Sequence, residues 1–201
     1  MLIIIDNFMK KTFVIFLLFL ISFNSLKAES VKEYTIEGLK VGDSLLRSFS
    51  VDKIKEFYNY DHMPSDMKYR IVEITKEDMK MKTAQQIQLS YKTDDRNYVI
   101  QSVDGLFLCN NEQDCQTIKA SLEKHIRGIF KNIRGKKTTM IHPDDPTGKS
   151  TVESVSFLMD DGQVEVQYYN WSKAVEYINN VRVAVSSNNI VSWSNSNYGL
   201  K

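Results

Sequence analysis

Seven apolar residues, Cys115, Ile118, Leu122, Ile126, Ile129, Phe130 and Ile133, recur along Glu112 to Arg134 at the three- and four-residue spacing of one helix face. A stripe that long needs a broad apolar surface to cover it. The flanking segments supply one, because they alternate apolar and polar residues with the period of a half-buried strand. Asn111 is placed to cap the helix, and Glu112 and Asp114 sit at the positive end of its dipole. Lys131 and Arg134 precede Gly135 at the other end.

Upstream, the alternation predicts strands over Tyr69 to Ile74, Ala84 to Lys92 and Asn97 to Val103, with Leu106 to Cys109 following an Asp104-Gly105 turn. Before them Leu45, Leu46, Phe49, Ile54, Phe57 and Tyr58 have helical spacing, with Asp43 a candidate cap and Ser50 capping a second turn. Downstream, Thr138 to Ile141 reads as a strand and His142 to Lys149 as a loop. Thr151 to Asp160 and Gln163 to Trp171 read as a hairpin about Asp161-Gly162, and Val181 to Val185 as a last strand before a polar tail around Trp193. The order is helix then four strands, twice, with helix starts about 68 residues apart and Asp94-Asp95 and Asp160-Asp161 in equivalent turns. The expected fold is α+β: antiparallel sheet with helices on one face, in possible tandem α-β-β-β-β halves, 29–110 and 111–201, forming one compact unit.

Residues 1–28 read as an export signal. Lys10 and Lys11 precede an apolar run from Thr12 to Phe23, and Ala28 offers a small residue for cleavage. The apolar core is well short of the roughly 20 residues that span a bilayer. Leu26, large for its place before the cut, leaves an uncleaved anchor as the alternative. Met9-Lys10-Lys11 is the more natural start, and no Cys follows the apolar run to carry a lipid. The expected location is periplasmic or secreted, without stable membrane insertion after cleavage.

Removing residues 1–28 takes three basic residues and one acidic residue from totals of 26 and 25, leaving a net charge close to −1. Such a balance holds no polyanion, so nucleic acid is not an expected partner. Cys109 and Cys115 make one disulfide the default in an oxidising compartment, with buried free thiols as the alternative.

Gly42-Asp43-Ser44-Leu45 spells the opening motif of GDSL esterases, but no Asp-x-x-His supplies a base: the residues three before His62, His125 and His142 are Asn59, Leu122 and Thr139. A serine without a base keeps its proton and is a weak nucleophile. Gly148-Lys149-Ser150 has the ending of a phosphate-binding loop, yet Pro143 stands where that loop needs glycine. Asp145-Pro146-Thr147-Gly148 reads better as a turn. His142, Asp144 and Asp145, or Asp61, His62 and Asp66, place metal-ligating types in one loop without the spacing of a known site, so no metal or cofactor is expected. His125 reads as a boundary residue of the long helix. Tyr168, Tyr169, Trp171 and Tyr177 concentrate aromatic surface near one hairpin end, suited to a protein or carbohydrate contact, although strand alternation makes half of them core.

Three stretches resemble a group of small exported bacterial proteins with no assigned activity: Ile36-Glu37-Gly38-x-x-x-Gly42-Asp43-Ser44-Leu45-Leu46-x-x-Phe49; His142-Pro143-x-Asp145-x-Thr147-Gly148-Lys149-Ser150; and Trp171-Ser172 followed by Asn180-x-Arg182-Val183. The resemblance brings no catalytic residues and singles out the Gly-Lys-Ser loop and the Trp-Ser segment. The order of elements is similar to the tandem layout of the β-lactamase inhibitor protein. The expected function is a non-catalytic periplasmic binding module whose partner is an envelope protein or glycan. Its candidate contacts are Tyr168, Tyr169, Trp171, Tyr177, His142 and Lys149. The alternative is a small periplasmic hydrolase or metal-dependent enzyme using His142 or His62.

Overall fold

The computed structural model describes residues 29–59 and 68–198. Residues 1–28, the expected export signal, lie outside them, as do Asp61, His62 and Asp66. Among the described residues eight strands form one antiparallel sheet: β1 (Tyr58–Asn59), β2 (Tyr69–Thr75), β3 (Gln86–Lys92), β4 (Ile100–Leu108), β5 (Lys136–Ile141), β6 (Thr151–Met159), β7 (Gly162–Asn170) and β8 (Asn180–Ser187). Their order across the sheet is β1-β2-β3-β4-β8-β7-β6-β5, so the halves join through their last strands, from Ser102 opposite Ser186 to Leu108 opposite Asn180. The helices are α1 (Val51–Glu56), α2 (Glu112–Ile129) and α3 (Asn188–Tyr198). The architecture is α+β, and no helix among the described residues is long and apolar enough to cross a membrane.

One face of the sheet carries the core. Ile87, Leu89, Val103, Val155, Phe157, Val164, Val166, Val183 and Val185 are all buried there, at alternate positions of their strands. Onto it α2 lays Cys115 and Ile126, and Phe130 follows just past the helix end. Over the first half the cover is Ile36, Leu39, Leu45 and Ile54. Each such side chain contributes about 1.5–3 kcal/mol when fully buried. The cross-strand register places small or polar side chains on the opposite face, among them Ser90, Ser102, Asp104, Ala184, Glu165 and Gln167. α3 folds back at one end of the sheet, setting Trp193 edge-on to Tyr69 with 5.2 Å between ring centroids.

Several elements depart from the pattern-based expectation. α2 ends at Ile129 rather than Arg134, because Phe130 leaves helical geometry (φ −101°, ψ 73°) to bury its ring. The first helical region is a 3-10 turn, Leu45–Arg47, capped by Ser44, and then the short α1 capped by Ser50. Asp43 does not cap; it pairs with Arg47 at 2.9 Å. Asp104-Gly105 is no turn but the middle of β4. A Cβ at Gly105 would lie 2.9 Å from Ile36 Cγ2, so glycine here makes room for a core side chain. Asp104 Oδ2 lies 3.1 Å from Arg182 Nε on β8, and both side chains are 19% exposed. Burial pushes the Asp104 carboxyl up to about 6 against the pull of that guanidinium.

The strand expected from Asn97 begins at Ile100, since Asp95 holds the backbone N–H groups of Asn97 and Val99 in a turn. With β1 counted and β4 continuous, matching strands of the two halves begin about 80 residues apart. Asp94-Asp95 therefore joins β3 to β4 while Asp160-Asp161 joins β6 to β7, and the two turns are not equivalent.

Candidate functional site

The three sequence stretches singled out above fall into two structural roles. In the first, Glu37 (φ 52°) and Gly38 (φ 86°) form a two-residue turn between Ile36 and Leu39, which exchange backbone hydrogen bonds at 2.9 Å. The Glu37 carboxylate accepts the backbone N–H groups of Lys82, Thr83 and Ala84 and the Thr83 hydroxyl at 2.7–2.9 Å. Burial alone would raise its pKa, but these donors outweigh that and hold it down to about 2. Gly42, at φ 91°, donates its N–H to the Ile100 carbonyl. The Ser44 hydroxyl donates to the Asn97 carbonyl and accepts from Leu46 N–H. This serine is committed to holding a turn, which accounts for Gly42-Asp43-Ser44-Leu45 without chemistry.

The second and third stretches meet. The loop joining β5 to β6 (142–150) is built around the Asp145 carboxylate. Oδ1 accepts Thr147 N–H and Oγ1 at 2.8 and 2.7 Å; Oδ2 accepts Lys149 N–H, Ser150 N–H and Ser150 Oγ at 3.2, 2.8 and 2.7 Å. Across the gap, the Ser172 hydroxyl donates to the same Oδ2 at 2.9 Å, and Ser172 N–H donates to Ser150 Oγ at 2.9 Å. The hydroxyls of Thr147 and Ser150 lead the donors that hold the Asp145 carboxyl far below the usual carboxylate range. The turn read from the sequence is present, with Gly148 N–H bonded to the Asp145 carbonyl at 3.0 Å and Gly148 at φ 67°.

The arrangement shows why Gly148-Lys149-Ser150 is not a phosphate cradle. Its backbone donors converge on an anion, and the anion is the chain's own. It also uses both oxygens of Asp145 within the loop, and no cluster of three or more His, Cys, Asp or Glu among the described residues is placed to hold a metal ion.

On this frame stands an aromatic platform. His142 lies 4.3 Å from Trp171 and 5.7 Å from Tyr169, and Trp171 lies 4.5 Å from Tyr177, measured between ring centroids. The Trp171 backbone is pinned by its amide N–H, which donates to Asn179 Oδ1 at 2.7 Å. His142 is oriented by Asp144 N–H, which donates to Nδ1 at 3.1 Å; the Asp144 carboxylate is 4.0 Å from that nitrogen. Tyr169 donates its hydroxyl to Gln167 Oε1 at 3.1 Å and lies 5.9 Å below the Arg182 guanidinium. Burial pushes the Tyr169 hydroxyl up. Tyr177 remains 58% exposed and Ile178 64%.

Of the candidate contacts, Tyr169, Trp171, Tyr177 and His142 come together. Tyr168 does not: it is 1% exposed on the core face, as alternation along β7 requires. Lys149 contributes its backbone N–H to Asp145, and its side chain is exposed. The sequence marks Asp145 only as a turn residue or metal ligand; the Asx-type sequence Asp145-Pro146-Thr147-Gly148 is the signal for its anchoring role. Ser172 is marked only by the Trp-Ser resemblance, since its partners Ser150 and Asp145 lie 22 and 27 residues away, and Asn179 carries no signal.

Cys109, just past β4, and Cys115, in the first turn of α2, form a disulfide with 5.2 Å between their Cα atoms. This chain matches no protein-family model, no curated protein and no solved structure.

Proposed function

We propose that this chain is an exported, non-catalytic binding module of the periplasm or cell exterior, and that it holds an envelope protein or glycan on the platform of His142, Tyr169, Trp171 and Tyr177. The observation that carries the reading is the Asp145 tie. Two loops are cross-linked by hydrogen bonds so that their aromatic rings hold fixed positions while Tyr177 stays open to solvent. Aromatic rings with polar tips offer large contact area at low conformational cost, and a frame ordered in advance removes part of the entropy cost of association. The apolar segment at residues 12–23 and the Cys109–Cys115 bond both suit an oxidising compartment outside the cytoplasm.

His142 Nδ1 accepts the Asp144 backbone N–H, so in the neutral ring the N–H sits on Nε2 and no lone pair is left for a general base. The test is binding of envelope extract and of an immobilised glycan panel to wild type and to the Trp171→Ala/Tyr177→Ala variant. A stoichiometric ligand retained by wild type and lost by the variant supports the reading. Equal retention by both, or ester hydrolysis that disappears in His142→Ala, overturns it.

A further inference from the structure

β5 is an outer strand of the sheet, and all six of its residues are exposed, including Met140 at 37% and Ile141 at 60%. Its hydrogen-bonding parity follows from one contact. His142 N–H donates to the Ser150 carbonyl at 2.9 Å, and the register runs from Ile141 opposite Thr151 to Lys136 opposite Ser156. In an antiparallel ladder, bonded pairs alternate with unbonded ones. The backbone of the even-numbered residues therefore faces β6, and the N–H and C=O groups of Lys137, Thr139 and Ile141 face outward.

We propose that β5 pairs antiparallel with β5 of a second copy of this chain, about a two-fold axis at Thr139, continuing the sheet across a dimer. A two-fold pairing must set outward residues against outward residues, and an axis at Thr139 pairs all three with one another: Thr139 with its mate, Lys137 with the partner's Ile141. The sequence of the strand is self-complementary in this register. Each copy's cationic end lies against the apolar end of the other, so the Lys137 stem covers the partner's Ile141 and the partner's Met140 sits beside Thr138. An axis at Lys137 would oppose like charges, and one at Ile141 would set Thr139 against Pro143, which has no N–H to give. The formal net charge, +1 for the whole sequence and close to −1 without residues 1–28, raises no long-range barrier between copies. A single strand pair buries less than the roughly 1,000 Å² of a stable interface, so the dimer is weak, with a Kd on the order of 10 µM to 1 mM.

The experiment is sedimentation velocity of the purified protein across that concentration range, with two variants. Thr139→Pro removes an outward N–H and no bond to β6, a substitution tolerated on an edge strand. Ile141→Lys sets a second charge against the partner's Lys137. Circular dichroism and the thermal midpoint check that each variant is folded; should Thr139→Pro unfold, Ile141→Lys carries the test. Wild type is expected to approach twice the monomer mass with rising concentration, and each folded variant to associate at least tenfold more weakly. Wild type that stays monomeric throughout, or folded variants that dimerise as tightly as wild type, would overturn the proposal. None of these residues belongs to the aromatic platform, so the outcome is independent of the binding reading.

Discussion

Reduction of the Cys109–Cys115 bond offers a quantitative test of how the β4-to-α2 corner is held. The bond closes a loop of sequence separation 6 that contains the helix cap Asn111, whose side chain accepts Asp114 N–H at 2.9 Å. Restricting a loop of that length in the unfolded chain corresponds to about 2.3 kcal/mol at 25 °C in the chain-entropy treatment. Urea unfolding with and without dithiothreitol should show the loss. With an m-value of roughly 2 kcal/mol/M, the midpoint falls by about 1 M on reduction. The Cys109→Ala/Cys115→Ala variant should match the reduced wild type within about 1 kcal/mol, the difference arising from lost packing of Cys115, which is fully buried. A midpoint that does not move on reduction, with thiol titration confirming two free cysteines afterwards, would refute the loop-closure reasoning. A drop beyond about 4 kcal/mol would mean that the bond holds more of the fold than this corner.

Gly105→Ala should destabilise by about 1–3 kcal/mol by overpacking against Ile36, although glycine in a strand is ordinarily a weakness; a neutral result in urea unfolding would show that β4 is not closed over by that side chain. Stability should depend on pH through two groups of opposite sign. Glu37, depressed to about 2, contributes stability that is present above the unfolded value and lost as pH falls from about 4.5 toward 2, roughly 1–2 kcal/mol after allowance for solvent screening. Asp104, raised to about 6, binds more protons folded than unfolded between pH 4 and 6, so stability falls by about 2 kcal/mol as pH rises through that window. Urea midpoints at pH 4, 5, 6 and 7 should show this slope in wild type and lose it in Asp104→Asn. Asp145→Asn, which forfeits charge-assisted acceptance from up to six donors, should loosen the platform while leaving the sheet intact; the readout is a change in tryptophan emission and quenching at Trp171 without change in far-ultraviolet circular dichroism, and an unaltered Trp171 environment would count against the tie.

The amino-acid order by itself determined the elements whose reasons are local. The apolar stripe from Cys115 to Ile129 and the Asn111 cap made α2 readable, alternation placed β2, β3, β6, β7 and β8 within a few residues, and Asp145-Pro146-Thr147-Gly148 announced a turn. The α+β class followed from those periods. Misreadings arose where a residue's role depends on something far along the chain. Asp104-Gly105 has the composition of a turn, but Arg182 and Ile36 make it strand interior, and both partners lie more than sixty residues away. Phe130 continues a helical stripe on paper, yet its ring enters the core after the helix has stopped.

The joining of the halves through β4 and β8, and the meeting of His142 with Trp171 across the Asp145 tie, were decided only by the tertiary structure. Periodicity specifies which face of an element is apolar. Which strand lies beside which, and which two loops share one carboxylate, is set by non-local burial and hydrogen-bond satisfaction that no window of sequence contains.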